Sequence, residues 1–119
     1  QEKVGGKIGI GSRITDVQET FGKIFNEGTE FQRDGSQFDK LFVEGDTFHI
    51  GQMRGDVLHT PGHTPGHQSV LLNLPKTGHM LLTGDACYTG DHWCDKCLPG
   101  LVASASDAAD SVKKLRKKR

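Results

Sequence analysis

The sequence predicts an α/β chain of roughly five strands and two helices, folded as a single domain over residues 1–119. Three observations carry that prediction. Two stretches, 14–25 and 106–117, repeat apolar residues at helical spacing. Between them lie short apolar runs bounded by Gly, Pro, Asn and Asp turn signals, the pattern of strands. No composition break, and no internal repeat beyond a doubled His-Thr-Pro-Gly-His phrase, marks a second domain.

Composition limits what this domain can be. Only 34% of the 119 residues are hydrophobic and 16 are glycine, so the core is thin and loops are plentiful. Stability is expected to be marginal unless something covers an exposed sheet face. No apolar run approaches membrane-spanning length and no charged-then-apolar leader opens the chain, which points to a soluble, cytoplasmic protein with no membrane partner. Three cysteines cannot all pair, which fits a reducing compartment and free thiols.

Taken in order, the chain starts at Gln1 rather than methionine, which suggests a trimmed end, and its glycine-rich opening holds Lys7-Ile8-Gly9-Ile10, an edge strand or a disordered piece. A helix follows from about Ile14 to Phe25. Thr15 and Gln18 stand at capping-box spacing, and Ile14, Val17, Phe21, Ile24 and Phe25 form one apolar face, expected to be core. Asn26 to Gln37 reads as loop. Phe38–Val43 and Thr47–Ile50 read as strands joined in a hairpin by Glu44-Gly45-Asp46, with His49 facing solvent. Arg54–Leu58, Ser69–Leu74 and His79–Thr83 complete the strands, the last two joined by Pro-Lys-Thr-Gly. Thr89 to Pro99 reads as a polar loop. The final helix, about Ser106 to Lys117, is capped by Ser104 or Ser106 and carries a narrow stripe of Ala108, Val112 and Leu115 for one outer sheet face.

Chemistry concentrates between Val57 and Tyr88. His59-Thr60-Pro61-Gly62-His63-Thr64-Pro65-Gly66-His67 spaces three histidines four apart, yet two prolines keep them off a helix. The strand 79–83 delivers Asp85 beside that loop. Imidazole and carboxylate at strand ends are the usual ligands of a catalytic zinc. A polar hairpin whose histidines hydrogen-bond locally would read the same way.

His59 to Ser69, with Leu81-Leu82-Thr83-Gly84-Asp85-Ala86-Cys87-Tyr88, resembles the C-terminal half of a metallo-β-lactamase-fold hydrolase, and within that superfamily it is most similar to the N-acyl homoserine lactonases. The likeness runs on through Trp93, Leu98-Pro99-Gly100 and the final helix. Upstream, Asp34 to Asp39 and Glu44 to Gly51 are similar to the preceding segment, with traits of the sulfur dioxygenase and hydrolase-like branches. The resemblance implies about half of an αββα sandwich with a mixed sheet. It implies that His63 is a ligand of the first of one or two zinc ions, that Asp85 bridges two metals, and that the Tyr88 hydroxyl meets the substrate carbonyl or oxyanion. His59 and His67 are not ligands in the family; both would orient the loop, and either could substitute as one, with His59 the metal candidate carried forward.

The departures are plain. The family's upstream His-x-His-x-Asp-His motif has no counterpart here, since no two of the six histidines are separated by a single residue. A last histidine beyond the final helix is missing too. The chain is therefore expected to be a partial domain whose site is short of the usual three protein ligands, completed by other residues or by a homodimer.

Two further features stay open. Cys94-Asp95-Lys96-Cys97 could bind zinc or cycle as a redox pair, with Cys87 and His92 close in sequence. The basic helix end, 113–119, holds six of the fifteen positive charges, leaving nine against fifteen negative elsewhere. It could contact nucleic acid, though a solvated end suited to the negative helix pole ranks above that. The leading expectation is zinc-assisted hydrolysis of a small-molecule lactone, β-lactam or ester. The other is a non-catalytic fragment or small metal- or partner-binding module.

Overall fold

A computed structural model describes residues 3–25, 28, 30–94 and 97–118. Gln1, Asn26, Asp95, Lys96 and Arg119, each part of an expectation above, lie outside the described residues. The chain divides into two compact units, Gln1–Phe42 and Val43–Arg119.

In the first unit, β1 (Gly9–Gly11) and β2 (Lys40–Phe42) pair in parallel, Ile10 opposite Leu41, with α1 (Ile14–Ile24) as the crossover between them. Parallel strands cannot be joined by a tight turn, and a helix supplies the span. Asp39 fixes the start of the pair: its carboxylate accepts the Ile8 N–H at 2.7 Å and its own N–H donates to the Ile8 carbonyl at 2.8 Å. Gly9 is required because a Cβ there would meet the Phe42 ring at 2.4 Å.

Helix α1 turns its other face outward. The expected capping box is absent, for Arg13 is the N-cap with no side-chain cap bond. Gln18 is instead buried, accepting the Gly35 N–H at 2.9 Å and donating to Gln37 at 2.8 Å. Gly22 lies against the Arg33 guanidinium, which a Cβ there would displace. Val17, Phe21, Ile24 and Phe25, expected to be core, are exposed, with Phe21 and Phe25 stacked at 5.6 Å between centroids.

The second unit is an antiparallel meander in sequence order: β3 (Thr47–Ile50), β4 (Met53–His59), β5 (Gln68–Leu74) and β6 (Gly78–Leu82). A 3-10 turn at Gly84–Ala86, a short α2 (Gly90–Cys94) and α3 (Ala105–Arg116) follow. The described residues thus hold six strands in two sheets rather than five in one mixed sheet. The predicted hairpin between β2 and β3 does not form. Glu44-Gly45-Asp46 hooks onto β4 instead, Gly45 N–H to the Val57 carbonyl at 3.0 Å and Val57 N–H to the Asp46 carbonyl at 2.8 Å, while β2 pairs with β1. His49 faces solvent.

Ser104 caps α3, accepting the Asp107 N–H at 3.3 Å. Its stripe of Ala108, Val112 and Leu115 is buried, and Leu115, fully enclosed, packs with Leu58 and Ala86 beneath Leu71, Leu81 and Trp93. Enclosing such a leucine stabilises by about 2 kcal/mol. Within the expected loop at 89–99, Thr89 Oγ1 accepts the His92 N–H at 3.3 Å and starts α2, which brings Trp93 to that core.

Candidate functional site

The histidine loop leaves β4 at His59 and returns to β5 at Gln68, and α3 holds its shape. Ala103 and Ser104 donate their N–H groups to the Gly62 carbonyl at 2.7 and 3.0 Å, and Ser111 Oγ donates to the Pro61 carbonyl at 2.7 Å. Gly62, at φ +141°, meets α3 so closely that a Cβ would stand 2.4 Å from the Ala108 Cα. The helix therefore acts as a mould for the loop.

Each predicted site residue has a distinct setting. His63 Nδ1 bonds the Leu101 carbonyl at 3.0 Å, and since a carbonyl only accepts, that nitrogen carries a proton. Nε2 faces Asp85 Oδ2 at 3.5 Å, with the imidazole mostly enclosed and the carboxylate half-exposed. The Tyr88 hydroxyl is held above its ordinary pKa chiefly by partial desolvation and then by the neighbouring Asp85 carboxylate. The Tyr88 N–H donates to His92 Nδ1 at 3.2 Å, and the two rings meet edge to face at 5.8 Å. His63, Asp85 and Tyr88 thus come together on the loops at one end of the meander.

His59 serves a different purpose. Its Nε2 lies 2.9 Å from the Pro65 carbonyl, a strut across the loop rather than a group turned to Asp85. Its backbone is clamped by Glu44, which accepts the His59 N–H, and by Lys114 Nζ, which donates to the His59 carbonyl at 2.8 Å and to Glu44 at 2.9 Å. Burial tends to raise the Glu44 pKa, but the Lys114 and His59 hydrogen bonds outweigh it and hold the carboxyl below its ordinary value.

His67 was the residue that sequence reasoning undervalued. Both ring nitrogens are engaged: Nδ1 with Thr60 Oγ1 at 2.9 Å and the Thr60 carbonyl at 3.1 Å, and Nε2 as acceptor of the Asp85 N–H at 2.9 Å. Burial, the largest effect on it, lowers its pKa. The signal was present in the third repeat of a four-residue spacing, but spacing alone does not say which histidine ligates and which braces.

Could these groups hold a metal? Two ligands on a tetrahedral zinc, each about 2.0–2.2 Å from the ion, stand about 3.4 Å apart, which the 3.5 Å between His63 Nε2 and Asp85 Oδ2 matches. A carbonyl on the far nitrogen is the usual brace of a ligating imidazole. Among the described residues no group of three or more potential ligands forms; His63 and Asp85 are two potential ligands brought within 3.5 Å of each other. Cys87, Cys94 and Cys97 are free thiols, and burial pushes the Cys87 thiol up, away from the thiolate a metal needs. In the basic helix end, Lys113 pairs with Asp110, Lys114 with Glu44, and Arg116 lies over the Trp93 ring, so these three cations have partners within the unit. No helix is long and apolar enough to cross a membrane among the described residues.

The chain is similar to known proteins. The sequence profile of the metallo-beta-lactamase superfamily matches residues 6–119. A protein named "Probable metallo-hydrolase" from Burkholderia pseudomallei is 37% identical over 121 residues, covering 97% of this chain and 40% of that one. The N-acyl homoserine lactonase AttM of Rhizobium radiobacter is 50% identical over 82 residues, covering 69% of this chain and 29% of its own. A solved N-acyl homoserine lactone hydrolase, with the product N-hexanoyl-L-homoserine at its catalytic metal centre, superposes with a TM-score of 0.57 at 30% identity, covering 76% of this chain and 36% of that one. The chain spans two fifths or less of the length of these relatives.

Proposed function

Because the chain belongs to the metallo-beta-lactamase superfamily, we propose that it carries part of the active site of a zinc-dependent hydrolase that opens a lactone, β-lactam or other ester-like carbonyl of a small molecule. The lactone is favoured, since named N-acyl homoserine lactonases are among its relatives. The observation that carries the reading is His63 Nε2 facing Asp85 Oδ2 at 3.5 Å, with the opposite ring nitrogen committed to the Leu101 carbonyl.

His63 and Asp85 would hold the metal, whose contribution when bound is to polarise the carbonyl and to supply a water ionised near neutral pH. The chain's own groups do the rest. The Leu101 carbonyl holds a proton on His63 Nδ1 and leaves Nε2 as the ring nitrogen that would bind the metal. Asp85, half-exposed, can also accept a proton from an attacking water. Tyr88, whose pKa is raised, stays protonated at neutral pH, and its O–H can donate to the developing oxyanion. The remaining ligands come from groups beyond these two, from a longer chain or from a second copy.

The test is zinc titration by calorimetry beside a pH-stat assay of N-acyl homoserine lactone opening. His63→Ala and Asp85→Asn are expected to lose zinc binding and turnover, and Tyr88→Phe to keep zinc while turnover falls about tenfold to hundredfold. Undiminished zinc binding in both ligand variants would overturn the reading. Zinc bound through His63 without turnover would favour a metal-binding module.

A further inference from the structure

Buried hydroxyls lie behind the site, and proton counting gives them a direction. Thr60 is fully enclosed and Ser69 is 1% exposed. Ser69 Oγ has one proton and donates it to the Thr83 carbonyl at 3.0 Å. At the 2.8 Å bond between Ser69 and Thr60, Thr60 must then be the donor. With its proton spent there, Thr60 Oγ1 can only accept at the 2.9 Å bond to His67, so the His67 proton sits on Nδ1. Nε2 is left with a lone pair, and it accepts the Asp85 N–H at 2.9 Å.

The two ends of this chain of bonds grip one short turn. Ser69 holds the carbonyl of Thr83, and His67 holds the N–H of Asp85. Gly84 sits between them at φ +53°, where a Cβ would stand 2.8 Å from His67 Nε2. A side chain at position 84 would push the imidazole away, so the glycine and the histidine form one fitted contact. The turn that aims the Asp85 carboxylate at His63 is fixed on both sides.

We propose that His67, with its tautomer set by Thr60 and Ser69, is the positioning residue of Asp85: it touches no reacting atom and acts by holding the aspartate backbone. This rests on the reading of Asp85 as a metal ligand.

Two measurements test it on the full chain. Long-range nitrogen–proton NMR should show His67 protonated at Nδ1 and bare at Nε2, and amide exchange at Asp85 should quicken at least about tenfold in His67→Leu; a proton on Nε2, or unchanged exchange, would overturn the proposal. In zinc titrations His67→Leu should bind about tenfold to hundredfold more weakly. His67→Gln, whose side-chain oxygen can accept the same N–H, should recover most of that loss. Ser111→Ala, which loosens α3 from the loop without touching the turn, should leave Asp85 exchange unchanged. Equal zinc affinity in His67→Leu, with binding lost in His63→Ala, would defeat the inference and leave the hydrolase reading standing. If zinc binds none of the chains or His63→Ala equally well, the hydrolase reading fails, and the NMR result alone decides whether His67 holds Asp85.

Discussion

The two units invert each other's use of polarity. In Val43–Arg119, Val57, Leu58, Val112 and Leu115 are enclosed, and the polar groups buried with them, Thr60, Ser69 and Ser111, are all hydrogen-bonded. In Gln1–Phe42, the buried side chain of α1 is a glutamine, and Phe21 and Phe25 on the same stretch are exposed. An amphipathic period therefore tells which residues share a face and leaves open which face meets protein. The face is chosen by the partners available: Gly35 and Gln37 complete the hydrogen bonds of Gln18, whereas Leu58 and Ala86 offer apolar surface to Leu115.

The sharpest way to break the contrast is Gly62→Ala. The new Cβ would meet the α3 backbone at 2.4 Å, at a φ of +141° that side chains rarely adopt. Overpacking and backbone strain together should cost about 3 kcal/mol or more, seen as a large drop in the urea midpoint. A midpoint near that of the parent would mean that α3 is not the mould of the histidine loop.

In the first unit the expected order of effects is reversed from ordinary cores. Gln18→Ala leaves the Gly35 N–H unpaired in a buried setting and should cost about 1–3 kcal/mol. Phe21→Ala removes an exposed ring and should stay within about 0.5 kcal/mol. Native-state amide exchange in α1 separates the two. An equal cost for Phe21→Ala would show that the apolar face is covered in solution.

Another small effect concerns pH. Glu44 has its pKa lowered on folding, so the stability it contributes is complete above the ordinary glutamate value, 4.5, and is lost as pH falls below that through the folded pKa. The pair with Lys114 is well exposed, and screening keeps the effect under about 1 kcal/mol. Thermal midpoints between pH 6 and 3 should fall more for the parent than for Lys114→Met. Parallel curves would remove Glu44 from the loop clamp.

Much of the second unit was legible because its information is local. The strands expected at 54–58, 69–74 and 79–83 formed within a residue of those bounds, since β-branched and leucine runs were punctuated by Gly and Pro. Ser104 was legible as a cap because capping depends on a few adjacent residues. Non-local choices were not legible. Whether β2 pairs with β3 or with β1 depends on a helix crossover, and a five-residue helix such as α2 is too short to show a period. Within the site, His63 and Asp85 followed from the motif, and the structure brings them together. That His67 orients the loop was expected; that it grips the Asp85 N–H in particular was not, because that contact depends on Thr60, Ser69 and Thr83, hydroxyl and carbonyl groups that no spacing rule connects.

The meander also has a consequence for kinetics. Each of its strands pairs only with a neighbour in sequence, whereas α3 closes on the histidine loop across 50 residues at Ser111 and 55 at Lys114. Near contacts cost little loop entropy and distant ones more, so the sheet is expected to form early in refolding and the helix to dock late. Trp93, packed beside Leu115, would report the docking step by stopped-flow fluorescence. Competence at the site would then lag recovery of the sheet, and whatever fills the site would act chiefly by slowing its unfolding.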